Sequence, residues 1–208
     1  MIMKYSTSFT NHIFAPLISL VFGCGVMILP VQYAVAETPM ETSSNAERLG
    51  CPHVDPDAKL EALGIVLTPP PQPIANFVPA VRVGKLMYLS GNGPRLPNGL
   101  FITGKLGSKP GQLTVDVGYQ AARVTMINQL AVLKTELGEL KNVKRIVKVF
   151  GMVNSDPDFT DHPRVINGGS DLLVEVFGEC GKHARSAVGM ASLPFNIAVE
   201  IDMVVELR

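Results

Sequence analysis

The stretch ARSAVGMASLPFNIAVEIDMVV, residues 184–205, carries the strongest fold signal in the chain. Its apolar and small residues alternate on both sides of a Leu-Pro pair, which predicts two β-strands joined by a turn. The first strand begins with Arg185, and the next residues on the same face are too small to pack around it: Ala187, Gly189 and Ala191. Space beside a fixed positive charge indicates a site for a small anion.

Segments with regular patterns also precede this pair of strands. They are, in chain order, a hairpin at 78–91, a third strand around 100–104, a helix at 114–137, a strand at 143–154 and a helix at 165–179. Thr114 suits the start of the first helix and Gly138 its C-terminal cap, whereas Gly168 and Gly169 weaken the second helix. The order β-β-β-α-β-α-β-β predicts an α+β sandwich with two helices packed on one face of a mixed sheet.

The first 36 residues have the pattern of a secretory signal peptide. An apolar run at 13–29 is followed by Ala34 and Ala36, which occupy the −3 and −1 positions of a cleavage site before Glu37. A retained membrane anchor is the alternative. The apolar run at 13–29 is, however, shorter than the about 20 apolar residues that a membrane-spanning helix needs. We therefore expect an exported protein, periplasmic or secreted, with no membrane attachment after cleavage.

Residues 37–73 are predicted to form a flexible leader before the folded domain at 74–208. Within this leader, a short helix is expected at 57–63. The TPPPQP segment at 68–73 is expected to be a polyproline spacer, because proline joins neither a helix interior nor a central strand.

Composition argues against nucleic acid as the main partner. The chain has 18 basic and 18 acidic residues and a pI near 6.9, whereas nucleic-acid binding depends on a basic excess. Cys51 and Cys180 are the cysteines that would remain after signal removal. They could pair in an oxidising compartment or stay separate, and no Cys/His spacing typical of a metal site is present.

Several segments resemble the RidA/YjgF-like family of reactive-intermediate (enamine and imine) deaminases. They are VGKLMYLSGNGP at 83–94, RIVKVFGMVNSDPDF at 145–159, the helix around Asn167, and ARSAVGMASLP followed by VEID. The resemblance extends over roughly residues 74–208. It implies a chorismate-mutase-like fold, homotrimers with pockets between neighbouring subunits, and hydrolysis of 2-imino acids to 2-keto acids and ammonia without metal or cofactor.

The resemblance also implies roles for individual residues. Arg185 matches the arginine that binds the substrate carboxylate, and Glu200 matches the acidic residue proposed to orient a water molecule. Ser90 and Gly91 match the pocket wall after the second strand, and Asn167 matches an asparagine near the cleft.

At three candidate substrate-binding positions the sequence departs from the family pattern. Phe77 stands where deaminating members have a tyrosine, Ala187 where many have a cysteine, and Asn92 where a glutamine is usual. Because Phe77 and Ala187 replace polar or nucleophilic groups, the function is either a deaminase or a non-catalytic module of the same fold that binds small carboxylates. An endoribonuclease is a third, less favoured function, considered because some family members carry that label.

The residues support an anion site independently of the family. The planar guanidinium of Arg185 matches the geometry of a carboxylate; the alternative is a surface arginine paired with an acidic neighbour. Glu200 could place a water molecule against an electrophilic carbon; the alternative is a solvated residue on the polar face of the last strand. His162 and His183 are interpreted as surface loop histidines, and the aspartates at 156–161 as turn-forming residues beside prolines.

Overall fold

The computed structural model of the chain describes residues 54–73 and 75–208. The predicted signal peptide at 1–36 and the first part of the leader, residues 37–53 with Cys51, lie outside these residues. Cys180 is disulfide-bonded. No helix in the described part of the chain is both long and apolar enough to cross a membrane.

The described residues contain three α-helices and five β-strands. In chain order they are α1 (Pro56–Ala62), β1 (Ala80–Val83), β2 (Leu86–Asn92), α2 (Val115–Leu137), β3 (Val143–Asn154), α3 (His162–Phe177), β4 (Ala184–Met190) and β5 (Val199–Leu207). The strands form one sheet in the order β1-β2-β5-β3-β4. All pairs are antiparallel except β3–β4, which is parallel and is connected through α3.

The two faces of the sheet differ in their covering. On β5, buried apolar residues alternate with half-exposed residues, among them Glu200 and Asp202. The apolar face packs against the two long helices: Ile166 of α3 lies over Gly151, and Met126 of α2 and Ile201 of β5 both approach Gly169. No helix of the described residues covers the other face, the open face of the sheet. The predicted α+β sandwich with helices on one face is confirmed.

Helix α2 shows how the sequence sets its own boundaries. The Thr114 hydroxyl oxygen accepts a hydrogen bond from the Val117 backbone N–H, and Gly138 ends the helix with a φ of 75°. Both caps agree with the prediction. Burial along the helix does not follow residue polarity alone, because Val117 is 39% exposed whereas Gln129 is fully buried. Burial of Gln129 is possible because its side chain is hydrogen-bonded to β2 and β5.

The predicted third strand at 100–104 was wrong. This segment makes only isolated bridges, Arg95 with Phe101 and Thr103 with Ile197. Prolines in the preceding loop and the positive φ values of Gly99 and Gly104 interrupt the extended backbone that a ladder needs.

The glycines of α3, predicted to weaken the helix, are positions of close helix packing. Helix α3 begins at His162 instead of 165. A Cβ atom on Gly168 would overlap the Tyr119 carbonyl oxygen of α2, so the two backbones approach too closely for any side chain there.

Replacement of Gly168 by alanine is therefore expected to destabilise the protein by about 2 kcal/mol or more, because the helices would have to separate. Helix propensity alone predicts the opposite sign, a gain of about 1 kcal/mol. Thermal unfolding should show a Tm lowered by about 4–8 °C. Val174→Ala, a change on the same helix at a 37% exposed position, is the control. An unchanged or raised Tm for Gly168→Ala would refute the close contact.

Candidate active site

Arg185 lies on the edge strand β4 and points to the helix-covered face. Its Nη1 donates hydrogen bonds to Asn167 Oδ1 at 2.8 Å and to Ser170 Oγ at 3.0 Å, both on α3. The packing of α3 across β4 therefore brings together Arg185 and Asn167, two of the predicted site residues.

The guanidinium group of Arg185 is held in place, but its charge is not neutralised. Its two acceptors are neutral, and it forms no ion pair with any Asp or Glu of the described residues. Its Nε and Nη2 also make no hydrogen bond within this part of the chain. The side chain is only partly buried, so one edge of the guanidinium can bind a carboxylate through two parallel hydrogen bonds.

Sequence reasoning missed Ser170 and His183, which lie next to Arg185. Ser170 Oγ is 3.1 Å from His183 Nε2, and His183 Nδ1 is 2.6 Å from the Gly181 carbonyl oxygen. Burial lowers the pKa of His183, and the nearby Arg185 charge lowers it further, although the hydrogen bond to Gly181 acts in the opposite direction. His183 is therefore a neutral, half-buried part of the site and not a surface loop histidine.

The space expected above the small residues of β4 is filled. Any side chain at Gly189 would collide with His162 Nε2 and Ser155 Oγ, which are hydrogen-bonded to each other at 3.0 Å. Ala187 packs against the hydrophobic core. The small residues of this strand thus accommodate the loop before α3 and the start of that helix.

Glu200 lies on the opposite face of the sheet from Arg185. On β3, Val149 pairs with Arg185 and Met152 pairs with Glu200. Positions 149 and 152 point to opposite faces because side chains alternate along a strand, and paired residues share a face. The Glu200 carboxyl group lies directly over Gly91, where any Cβ atom would overlap its Oε1.

The surroundings of Glu200 favour its protonated form. Burial raises the pKa of this carboxyl group, and the like charge of Asp202 on the same face raises it further. The neighbouring Lys148 lowers the pKa of Asp202 itself, but burial outweighs that effect and raises it. A carboxylate whose pKa lies closer to neutrality is a better proton acceptor for a general-base step.

The remaining predicted residues lie away from Arg185. The Ser90 hydroxyl donates to the Val78 carbonyl oxygen at 2.7 Å, and Asn92 Nδ2 donates to Gln129 Oε1 at 3.2 Å. Phe77 is 52% exposed. Within one chain the structure therefore forms two groups, Arg185 with Asn167 on one face and Glu200 with Gly91 on the other.

A cavity of about 410 Å³ lies elsewhere, between the proline segment and α2. Its wall includes Pro69–Pro71, Asn92, Arg95, Phe101 and Ile127 but neither Arg185 nor Glu200.

The described residues contain no cluster of three or more His, Cys, Asp or Glu side chains that could hold a metal ion. Asp156 is bound to Lys109 at 2.7 Å and to Gln112 at 3.0 Å, and these hydrogen bonds hold its pKa at about 2. The Asp158 N–H donates to Asp156 Oδ1 at 3.4 Å, in keeping with the predicted turn.

The five-stranded sheet with two long helices on one face agrees with the class of protein that the sequence matches. Residues 57–207 match the family model described as "YjgF/chorismate mutase-like, putative endoribonuclease". The chain belongs to this YjgF/RidA-like family, and the predicted chorismate-mutase-like fold is confirmed.

Particular relatives have different names. The chain is 45% identical to protein TCP17 of Trypanosoma cruzi over 152 residues, which is 73% of this chain and 93% of the relative. It is 32% identical over 146 residues to a 2-iminobutanoate/2-iminopropanoate deaminase of Dermatophagoides farinae, covering 69% of this chain and 96% of the relative. The crystal structure of a "putative endoribonuclease" from Shewanella oneidensis is 34% identical, with a TM-score of 0.69, covering 74% of this chain and 99% of that one.

Proposed function

We propose that the protein is an imine deaminase that hydrolyses reactive 2-imino acids to 2-keto acids and ammonia. The observation that carries this proposal is the Arg185 guanidinium, which two neutral acceptors hold in place while its Nε and Nη2 stay available. A 2-imino acid presents a carboxylate next to its electrophilic carbon. Binding the carboxylate at Arg185 therefore fixes the position of the carbon that water must attack.

The proposed site is shared between subunits. Because Arg185 and Glu200 lie on opposite faces of the sheet, one chain cannot present both groups to one small substrate. The open face carries partly exposed apolar side chains, including Tyr88 at 46% and Val83 at 60% exposure, and exposed apolar patches of this kind favour association. We propose a homotrimer in which each cleft combines Arg185 of one subunit with Glu200 of a neighbour.

The reaction in this cleft has two steps. Glu200 accepts a proton from water while the oxygen bonds to C2 of the protonated imine, and the C=N electron pair moves to nitrogen to give a carbinolamine. Glu200 then returns the proton to the nitrogen, the C–N bond breaks as the hydroxyl group transfers its proton to the Glu200 carboxylate, and ammonia leaves with the 2-keto acid. Glu200 releases this last proton to solvent, which restores the carboxylate for the next cycle. Placement and one carboxylate suffice because the iminium carbon is already activated.

The test is an assay of 2-iminobutanoate hydrolysis, with the imine generated in situ by an amino-acid oxidase. We expect 2-ketobutanoate to form faster than in buffer, in proportion to the protein concentration. The Arg185→Ala variant, carried through the same purification, controls for contaminating activity. Hydrolysis at the buffer rate, even at high protein concentration, would remove the enzymatic claim.

A non-catalytic carboxylate-binding module is the second candidate. It is favoured by Phe77 and Ala187, which replace polar or nucleophilic groups of the family with inert ones. Such a module would bind 2-keto acids through Arg185 without turnover, and Glu200→Gln would leave binding unchanged. An endoribonuclease is less favoured because the net charge of the chain is zero.

We also propose that the protein is exported after cleavage before Glu37. The signal-like pattern of residues 1–36 supports this proposal, as does the disulfide at Cys180, because disulfides persist mainly in oxidising compartments. N-terminal sequencing of the protein purified from its native source should start at Glu37. A mature chain that retains residues 1–36 would contradict it.

A further inference from the structure

Ser170, His183 and the Gly181 carbonyl group form a series of hydrogen bonds behind Arg185. Donors and acceptors can be assigned along this series in only one way. Arginine only donates, so Ser170 Oγ accepts from Arg185 Nη1. The Gly181 carbonyl oxygen only accepts, so His183 Nδ1 carries a hydrogen. In neutral His183 the remaining nitrogen, Nε2, must then accept, and the Ser170 hydroxyl hydrogen points toward it.

This direction fixes the orientation of the Ser170 hydroxyl group. With its hydrogen engaged by His183, the oxygen presents lone pairs toward Arg185. Asn167 supplies the second acceptor for the same Nη1. Both contacts involve neutral oxygens, so the guanidinium is held in one orientation and keeps its full charge for a ligand. A carboxylate in either place would hold the arginine equally well but would neutralise it.

The charged residues next to Ser170 and His183 in the sequence have partners of their own. Lys182 is paired with Glu179 at 2.9 Å, and the Asp171 carboxylate accepts a hydrogen bond from Tyr119 of α2. The groups hydrogen-bonded to Arg185 are the neutral Asn167 and Ser170.

We propose that Ser170 and His183 are positioning residues that make this site selective for carboxylates. They hold Nη1 so that the Nε–Nη2 edge of Arg185 faces outward and binds the carboxylate of a small 2-keto or 2-imino acid side-on. The proposal rests on the proposed function in one respect, because it takes Arg185 as the carboxylate-binding group.

The experiment compares the binding of pyruvate with that of its neutral amide, pyruvamide, by NMR titration of the full chain. Ser170→Ala is expected to raise the Kd of pyruvate about tenfold, because a hydrogen bond to a charged group is lost. The Kd of pyruvamide should not change, since it has no carboxylate to align with Arg185. Ser170→Thr keeps the hydroxyl group and should bind pyruvate like the unmodified protein.

A matched pair of variants at position 183 tests the role of the hydrogen bond between His183 and Ser170. His183→Leu removes the acceptor for the Ser170 hydroxyl hydrogen and should raise the Kd of pyruvate several-fold, whereas His183→Gln offers a new acceptor and should restore most of the affinity. If Ser170→Ala does not fold, this pair decides the same question.

The outcomes separate this proposal from the function on which it rests. If Arg185→Ala loses pyruvate binding while Ser170→Ala and His183→Leu keep the original Kd, the positioning role is wrong and the proposed function stands. Equal losses for pyruvate and pyruvamide, accompanied by a lower Tm, would show a merely structural role and also overturn the proposal. Undiminished pyruvate binding by Arg185→Ala would overturn both.

Discussion

Replacing Arg185 with alanine should weaken pyruvate binding by about 100-fold or more and abolish measurable imine hydrolysis at low substrate concentration. The variant loses both hydrogen bonds to the carboxylate and the only positive charge that we assign to it, a loss in the range measured for truncating one partner of a hydrogen-bonded charge pair. Isothermal titration calorimetry with pyruvate measures the effect.

Two further arginine variants test whether the loss of pyruvate binding is specific to the guanidinium group at position 185. Arg185→Lys keeps the charge without the planar fork, so it should recover only part of the affinity. Arg82→Ala removes an arginine from the opposite edge strand, where its Nε donates to the Gly84 carbonyl oxygen at 3.0 Å, and should bind pyruvate normally. If Arg185→Ala retains the original Kd, the anion site lies elsewhere.

Replacing Glu200 with glutamine should lower kcat by about 10²- to 10⁴-fold, the contribution typical of a general base, while leaving pyruvate binding nearly unchanged. The base acts only when deprotonated, so activity should rise with pH through the pKa of Glu200. Because burial and Asp202 raise that pKa, the midpoint of this rise should lie above 4.5. A pH–rate profile measures it, and the rise should be absent from Glu200→Gln.

Asp202→Asn is the matched control on the same face of β5. Removal of its like charge should lower the pKa of Glu200 and move the rise in activity to lower pH, with kcat at neutral pH preserved. A Glu200→Gln variant with undiminished kcat would exclude Glu200 as the base. A variant that instead loses pyruvate binding would show that this carboxyl group supports the pocket and does not act on water.

Local signals predicted most of the fold. Thr114 and Gly138 set the ends of α2 because caps depend only on neighbouring residues, and the alternation within residues 184–205 predicted the strands β4 and β5. The strand expected at 100–104 was wrong because a strand needs a continuous partner, which local sequence does not specify. Gly168 was misread because helix propensity carries no information about the helix packed against it.

The site was less predictable because it depends on register. Sequence alternation assigns faces within β4 and within β5, but the opposite orientation of Arg185 and Glu200 follows only from the pairing of both strands with β3. Ser170 and His183 meet because α3 ends and the chain turns back at Gly181. No local pattern marks that contact.

The central claim, a catalytic site shared between chains, is tested most directly by mixing Arg185→Ala and Glu200→Gln chains. The two inactive variants are unfolded and refolded together in equal amounts, and 2-iminobutanoate hydrolysis is measured against each variant refolded alone. Random assortment in a cyclic trimer should restore about one quarter of the original activity, because one cleft in four receives Arg185 from one chain and Glu200 from its neighbour. If the mixture is as inactive as its components while co-refolded unmodified protein is fully active, Arg185 and Glu200 do not act together across a subunit interface.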